Sequence, residues 1–275
     1  MSYAAILVHA RAAPEALPAM KCARALAEIF NATLIGVAAE MIPPPPSDDG
    51  ISSISGPWVV AMREISEANL VKAKTLFHEV ASGLTKPTLW EFGLQLPGPA
   101  MAGASRGADL IVASGPTGKH QDPYSQISAS DLAMTSGRPV LVTPADGAPF
   151  VGKKIVLAWK DTREARRAMA DALPFFQHAE EVLVLEVCDE RDGADAAIRT
   201  EDVAQALRRH GVVAQAKVAV HKPADGHEIL RQAGLFGADL IVAGAYGHTR
   251  LGEWVFGGVT HDLLTQHGLY VLLSH

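Results

Sequence analysis

Five glycines, Gly244, Gly247, Gly252, Gly257 and Gly258, fall within fifteen positions directly behind the apolar run Leu240-Ile241-Val242-Ala243. Glycine lets a chain turn through φ > 0 and lets another group approach the backbone closely, at a cost in conformational entropy. Two uses of that freedom compete. In the first, Gly244 and Gly247 turn the chain sharply, and successive backbone N–H groups form an anion-binding nest. Gly257 and Gly258 then open a helix whose free N–H groups and dipole also attract negative charge. Both donor sets converge on a phosphate without a lysine. In the second, the glycines serve only tight turns. The chain has no GxxxxGK[ST] loop, which argues against a P-loop kinase or ATPase.

Other residue types invite chemistry and give weaker patterns. Of eleven histidines, His248, His261 and His267 lie near the glycine loop, with His221 and His227 behind. There is no HxxxH or CxxC spacing, and a metal cage needs three or four converging ligands, so no metal site is expected. Trp159 and Trp254 flank the loop and either stack on a base or serve as packing residues. Cys22 and Cys188 are far apart and suit small apolar packing in a reducing compartment better than a disulfide. No GxSxG elbow and no Ser/His/Asp order is present. No specific enzymatic reaction is expected.

The elements that must hold the loop repeat. "RGADLIVASGPTG" (106–118) returns as "FGADLIVAGAYGH" (236–248), an offset of 130 residues. "DLAMTSGRPVLVTP" (131–144) returns as "DLLTQHGLYVLLSH" (262–275), and "AAILVHA" (4–10) resembles "KKIVLAW" (153–159). A period of this length is a domain duplication, since solenoid units are much shorter. "TPADGAPFVG" (143–152) is the natural linker, dividing the chain at 1–145 and 146–275. In the second half, short apolar runs alternate with helix-period stretches. "KIVLAW" reads as a strand, and Ala165, Ala168, Met169, Ala172 and Leu173 fall on one face of a single following helix. Asp161 as N-cap and Glu164 three residues on have the spacing of a capping box. Strands at "EVLVLEV", "VVAQAKVAV", "DLIVAG" and "YVLLS" alternate with further helices, one of them closed by Gly211. Runs apolar on both faces, such as "LIVA", imply parallel strands covered on both sides. The fold expected is therefore α/β: two tandem doubly wound domains, each a five-stranded mainly parallel sheet with helices on both faces. The first half adds a proline-rich excursion, "MIPPPPSDDGISSISGP", before a helix over 58–82.

The whole chain bounds the function. Its 275 residues are 48% hydrophobic and 20% charged, with a net charge of −6. No run of Lys/Arg exceeds a pair such as Arg208-Arg209, so no nucleic-acid footprint is visible. No stretch reaches the ~18 apolar residues of a membrane span, and no signal-like start is seen. A soluble, cytoplasmic protein is expected.

Gly244-x2-Gly247-x9-Gly257 behind the fourth strand, the "GxVT" helix start and the duplicated strand order together resemble the universal stress protein family, twice over. Its signature is G-x2-G-x9-G-[ST]. The resemblance implies a stress-response or signalling module with a site for ATP or a related adenine nucleotide in the second half. There the loop amides (Gly244, Tyr246, Gly247, His248, Arg250, Gly257, Gly258, Val259, Thr260) hold phosphates. The ends of the first two strands (Ala158, Trp159, Lys160, Val187) hold ribose and adenine. Two positions depart from the pattern. Gly258 stands where the family has Ser/Thr, with Thr260 two positions on, and Lys160 stands where the family has an Asp that accepts from ribose hydroxyls. The first half retains Gly115 and Gly118, has Ser128-Ala129 in place of the second glycine cluster, adds Pro116 and Pro123, and reads as a structural partner. The resemblance also implies pairing of the two halves through their fifth strands, "PVLVT" (139–143) and "YVLLS" (270–274), and a homodimer of the tandem chain. The alternative function is a nucleotide-free scaffold acting through its surfaces.

Overall fold

Ile6, Leu7 and Val8 are fully buried, and so are Ile155, Val156 and Leu157. A strand that is apolar on both faces must be covered on both, and each of these runs becomes a parallel strand between two helical layers. The structure, a computed structural model, describes residues 2–42, 56–115, 127–144, 146–220, 228–245 and 269–275.

In the first half β1 (Ala5–His9), α1 (Leu17–Phe30), β2 (Thr33–Ala39), α2 (Gly56–Val80), β3 (Thr88–Gly93), α3 (Pro97–Ala104), β4 (Leu110–Ser114), α4 (Ala129–Ser136) and β5 (Val140–Thr143) follow in order. The second half has β6 (Lys154–Ala158), α5 (Arg163–Asp171), α6 (Leu173–His178), β7 (Glu181–Cys188), α7 (Gly193–Arg209), β8 (Ala214–Val220), α8 (Glu228–Phe236), β9 (Leu240–Gly244) and β10 (Tyr270–Ser274). These strands form one ten-stranded sheet in the order β3-β2-β1-β4-β5-β10-β9-β6-β7-β8. Within each half all pairs are parallel. At the centre β5 and β10 pair antiparallel, with Val140 opposite Leu273, Leu141 opposite Leu272 and Val142 opposite Val271. The halves therefore meet through their fifth strands, and their carboxyl edges point in opposite directions.

Both cores cross that seam. On one face α1, α2, α5, α6 and α7 bury a cluster containing Leu26, Phe77, Leu141, Phe175, Leu207 and Leu272. On the other, α3, α4 and α8 cover Met101, Leu132, Val140, Val271 and Ala233. Aromatic rings lock the halves together: Tyr3 and Phe30 lie 5.3 and 5.5 Å from Phe175, centroid to centroid. The Tyr3 hydroxyl donates to the Asp171 carbonyl, and burial holds its pKa well above the usual phenol value. The linker joins this cluster. Phe150 packs edge-on to Tyr270 at 5.1 Å, and the Tyr270 hydroxyl donates to the Ala148 carbonyl at 2.6 Å.

The repeated Gly-Ala-Asp has a structural purpose. Asp109 Oδ2 accepts from the Ala4 and Ala5 N–H groups at 2.7 and 3.1 Å, and Asp239 Oδ2 accepts from Lys153 and Lys154 at 2.9 and 3.4 Å. Each aspartate ties down the entry of the first strand of its half.

Three local expectations are corrected. The N-cap of α5 is Thr162, whose Oγ1 accepts from Ala165 N–H at 3.3 Å, and Asp161 instead pairs with Arg166. The single helix expected after β6 is two, because Pro174 has no N–H and its ring displaces the preceding turn. The long helix of the first half begins at Gly56 rather than 58 and ends at Val80 rather than 82. Gly211 does close α7, in the left-handed region at φ 79. The proline run of residues 43–46 lies outside the described residues.

Candidate functional site

In a doubly wound sheet a ligand crevice opens where successive connections leave in opposite directions. In the second half β6 has β7 on one side and β9 on the other, so the crevice lies at the carboxyl ends of β6 and β9. Ala158, half-buried, ends β6 and sits opposite Ala243 of β9. Trp159 continues the sheet, its N–H donating to the Leu185 carbonyl at 2.8 Å. Its ring is 7% exposed and packs into the core beneath α5, which favours the packing role over base stacking. Val187, half-buried, stands on the neighbouring β7. Lys160 is exposed, and its carbonyl accepts from Thr162 N–H at 2.7 Å.

Gly244 is the last residue of β9, and it is not a turn. The described glycines in the left-handed region are Gly83, Gly137, Gly147, Gly152, Gly211 and Gly237. A Cβ on Gly244 would lie 2.6 Å from the Glu164 carbonyl carbon and 2.7 Å from Ala165 N. The glycine is there because the first turn of α5 presses directly on the strand end. Close approach, rather than φ > 0, is its reason. Glu164 is 3% exposed beside it, with Arg163 Nε 2.7 Å from its carboxylate. Burial alone would raise its carboxyl, but hydrogen bonds from its own amide, the Thr162 hydroxyl and Arg163 outweigh it and hold the pKa below the ordinary value. The next residue, Ala245, donates its N–H to the Ser274 carbonyl at 2.6 Å, and its carbonyl meets His275 Nδ1 at 2.8 Å. Tyr246, Gly247, His248, Arg250, Gly257, Gly258, Val259, Thr260 and Trp254 lie outside the described residues, as do His221, His227, His261 and His267.

The first half is built differently at the matching place. Ser114 aligns with Thr143 as Gly244 aligns with Ser274, and Gly115 N–H donates to Thr143 as Ala245 donates to Ser274. By strand register Gly115 therefore corresponds to Ala245, and the glycine of this half sits one residue further out than its spacing suggests. The Ser114 hydroxyl donates to the Glu15 carbonyl at 3.1 Å. An open cleft of about 250 Å3 remains, lined by Pro14, Glu15, Pro18, Ser114, Gly115 and Pro144 among others. Gly118 lies outside the described residues. At the end of β1, His9 is 8% exposed, and burial beside Arg11 lowers its pKa to about 3.

Thr162 and Glu164 border the crevice although only the second was singled out, and then as half of a capping box. The signal for Thr162 was its N-cap residue type one position after Asp161. Neither cysteine is placed for thiolate chemistry: burial pushes Cys22 up to about 12 and also raises Cys188. Among the described residues no group of three His, Cys, Asp or Glu side chains could hold a metal ion, and no helix is long and apolar enough to cross a membrane.

The crystal structure of a universal stress protein from Archaeoglobus fulgidus DSM 4304 is similar over 98% of this chain and 95% of its own, at 14% identity and a TM-score of 0.67. A protein of unknown function from Pseudomonas aeruginosa PAO1 is similar over 99% of this chain and 92% of its own, at 19% identity and a TM-score of 0.59. At these identities the likeness is one of fold, and it runs through both halves. No curated protein matches the chain. Residues 152–273, nearly all of the second half, match the family model of the Universal stress protein family, and that half is a domain of this family.

Proposed function

We propose that the chain is a tandem universal stress protein, divided at 1–145 and 146–275. In this reading its second half binds ATP or a related adenine nucleotide in the crevice between β6 and β9. It acts as a stress-response or signalling module in the cytoplasm and not as a dedicated enzyme. The observation that carries this is the contact of Gly244 with the first turn of α5. It brings a helix N-terminus and the start of the glycine loop to one spot at the switch point, where an anion gains from both sets of free amides. Gly247, Gly257, Gly258, Val259 and Thr260 supply the second set in this reading. A thermal-shift titration tests it: ATP, ADP or AMP at a hundred times its Kd should stabilise the protein by about 2.7 kcal/mol. No shift with any of the three overturns it.

A nucleotide-free scaffold is the second reading, favoured by Lys160, a donor-only side chain at the end of β6. In that reading function rests on surfaces and on a homodimer of the tandem chain. Because β5 and β10 already pair with each other, a second copy must use another surface. Sedimentation tests the homodimer: a mass of 29.1 kDa across a wide concentration range excludes it.

A further inference from the structure

Among the described residues the sheet ends on β3 and on β8, each paired on one side only. An edge strand presents a row of backbone donors and acceptors to which another strand can pair. The bonds on the inner side fix which groups face out. The Gly93 carbonyl accepts from Glu40 N–H, just past β2, at 3.2 Å, and the Val213 carbonyl accepts from Val182 N–H of β7 at 2.8 Å. The bonding direction alternates along a strand. Thr88, Trp90 and Phe92 of β3 therefore turn their N–H and C=O groups outward, as do Ala216, Val218 and Val220 of β8. Ala214 turns outward too, but its carbonyl already accepts from Arg208 Nε at 2.9 Å.

Side chains make the two edges complementary. Trp90 packs on Phe77 of α2 at 5.3 Å, centroid to centroid, so Trp90 and Phe92 lie on the α2 face and Leu89 and Glu91 on the other. Ala216 packs with the cluster on the α2 face and Ala219 with the opposite cluster, which puts Lys217 on the face of Glu91. The two halves run antiparallel. A second copy moved along the sheet without turning over therefore sets its β8 antiparallel to β3, with like faces on like sides. With Glu91 opposite Lys217, the outward residues Thr88, Trp90 and Phe92 meet Val220, Val218 and Ala216 as hydrogen-bonded pairs. The exposed Leu89 and Phe92 then each face an alanine, Ala219 and Ala216. Glu91 and Lys217, both exposed, meet at a non-hydrogen-bonded position, where side chains lie closer. Like edges do not match in this way. A full overlap of β8 with a second β8 sets Lys217 against Lys217, and β3 on β3 sets Glu91 opposite or diagonal to Glu91, which repels.

We propose that copies of this chain associate head to tail, β3 of one on β8 of the next, continuing the ten-stranded sheet. This goes beyond the homodimer above and does not rest on the nucleotide reading. Each added copy leaves one edge of each kind open, so the contact builds chains of copies unless its rotation closes a ring.

Sedimentation of the full chain over a wide concentration range tests it. The mass should rise with concentration past that of two chains. Glu91→Lys and Lys217→Glu should each weaken association about tenfold, the swing from an opposite to a like cross-strand charge pair. The two together should restore it. Lys21→Glu, the same charge change on α1, should leave association as in the parent. All three positions are exposed, so melting curves that match the parent exclude misfolding. Association that stops at two chains, that ignores Lys217→Glu, or that the double variant fails to recover overturns head-to-tail pairing, while a homodimer through another surface stands. A mass of 29.1 kDa at every concentration overturns both.

Discussion

Gly244 and His9 show how a single side chain can be decided by its surroundings. At Gly244 an added Cβ meets backbone on α5, at 2.6 and 2.7 Å, and backbone cannot rotate away as a side-chain tip can. Gly244→Ala should therefore cost about 1–3 kcal/mol, the range for overpacking a well-filled site. Gly234 makes the opposite case. It lies inside α8, exposed, with nothing within 4 Å of the added methyl, so Gly234→Ala should gain about 0.5–1 kcal/mol of helix propensity. Urea unfolding of the two variants checks both signs. His9 gives a pH dependence. Its pKa falls from 6.5 in a free chain to about 3 in the fold, chiefly through burial and then through Arg11. Above pH 6.5 neither state is protonated and the fold loses nothing. As pH falls from 6.5 towards 3 only the unfolded chain takes up the proton, and stability drops at up to about 1.4 kcal/mol per pH unit. His9→Ala, matching Ala158 in the second half, should flatten the stability profile between pH 6 and 4 relative to the parent. An unchanged slope would show that His9 titrates normally.

The elements differ in how far they were legible. Strands were readable because "DLIVA" and "KIVLA" are apolar on both faces, a local property that only a doubly covered parallel strand satisfies. Pairing of the halves through their fifth strands was expected from the family resemblance together with the short apolar runs there, and the structure adds that the pairing is antiparallel. What local pattern could not decide was anything set by a neighbour distant in the chain. Gly244 looked like a turn because the helix that presses on it begins far back in the chain, at Arg163. Gly115 looked like its counterpart because spacing was compared without strand register. Thr162 and Asp161 are both good caps, and only geometry separates them. Pro174, by contrast, was a visible breaker inside a helical pattern, and the split into α5 and α6 was available from sequence. The seam makes its own prediction. Val140 is fully buried, and Leu141 and Leu272 belong to one core while Val140 and Val271 belong to the other. Val140→Lys places an unpaired charge in that seam and should cost more than about 4 kcal/mol. Because both cores cross it, calorimetry should show one transition displaced downward as a whole. Two resolved transitions, with only one moved, would show that the halves unfold independently.

At the scale of the whole molecule the duplicated fold is symmetric in its sheet and asymmetric at its two carboxyl edges. Antiparallel pairing at β5·β10 sends those edges to opposite sides, so a ligand at one cannot touch the other. In the second half a glycine admits the first turn of α5 against the strand end, and the sequence continues through Gly247, Gly252, Gly257 and Gly258. In the first half Ser114 occupies that register position. The helix start is preceded by the single turn Pro14–Ala16, with no side-chain cap, and the cleft between them is lined by Pro14, Glu15, Pro18 and Pro144. Prolines remove N–H donors, and a carboxylate repels phosphate. An anionic nucleotide should therefore bind once per chain, in the second half. Calorimetry with the best of the nucleotides should give a stoichiometry near one. Gly247→Val and Gly257→Val should abolish the heat, because a β-branched side chain resists φ > 0 and blocks close approach. Gly118→Val, the change of like kind in the first half, should leave it intact. The first-half cleft supplies a sharper control: Glu15→Lys reverses the charge of a lining residue without touching β6 or β9. If that edge were the binding edge, Glu15→Lys would tighten the nucleotide and Gly247→Val would spare it. With the site at β6 and β9, the first substitution leaves the affinity unchanged and the second removes it.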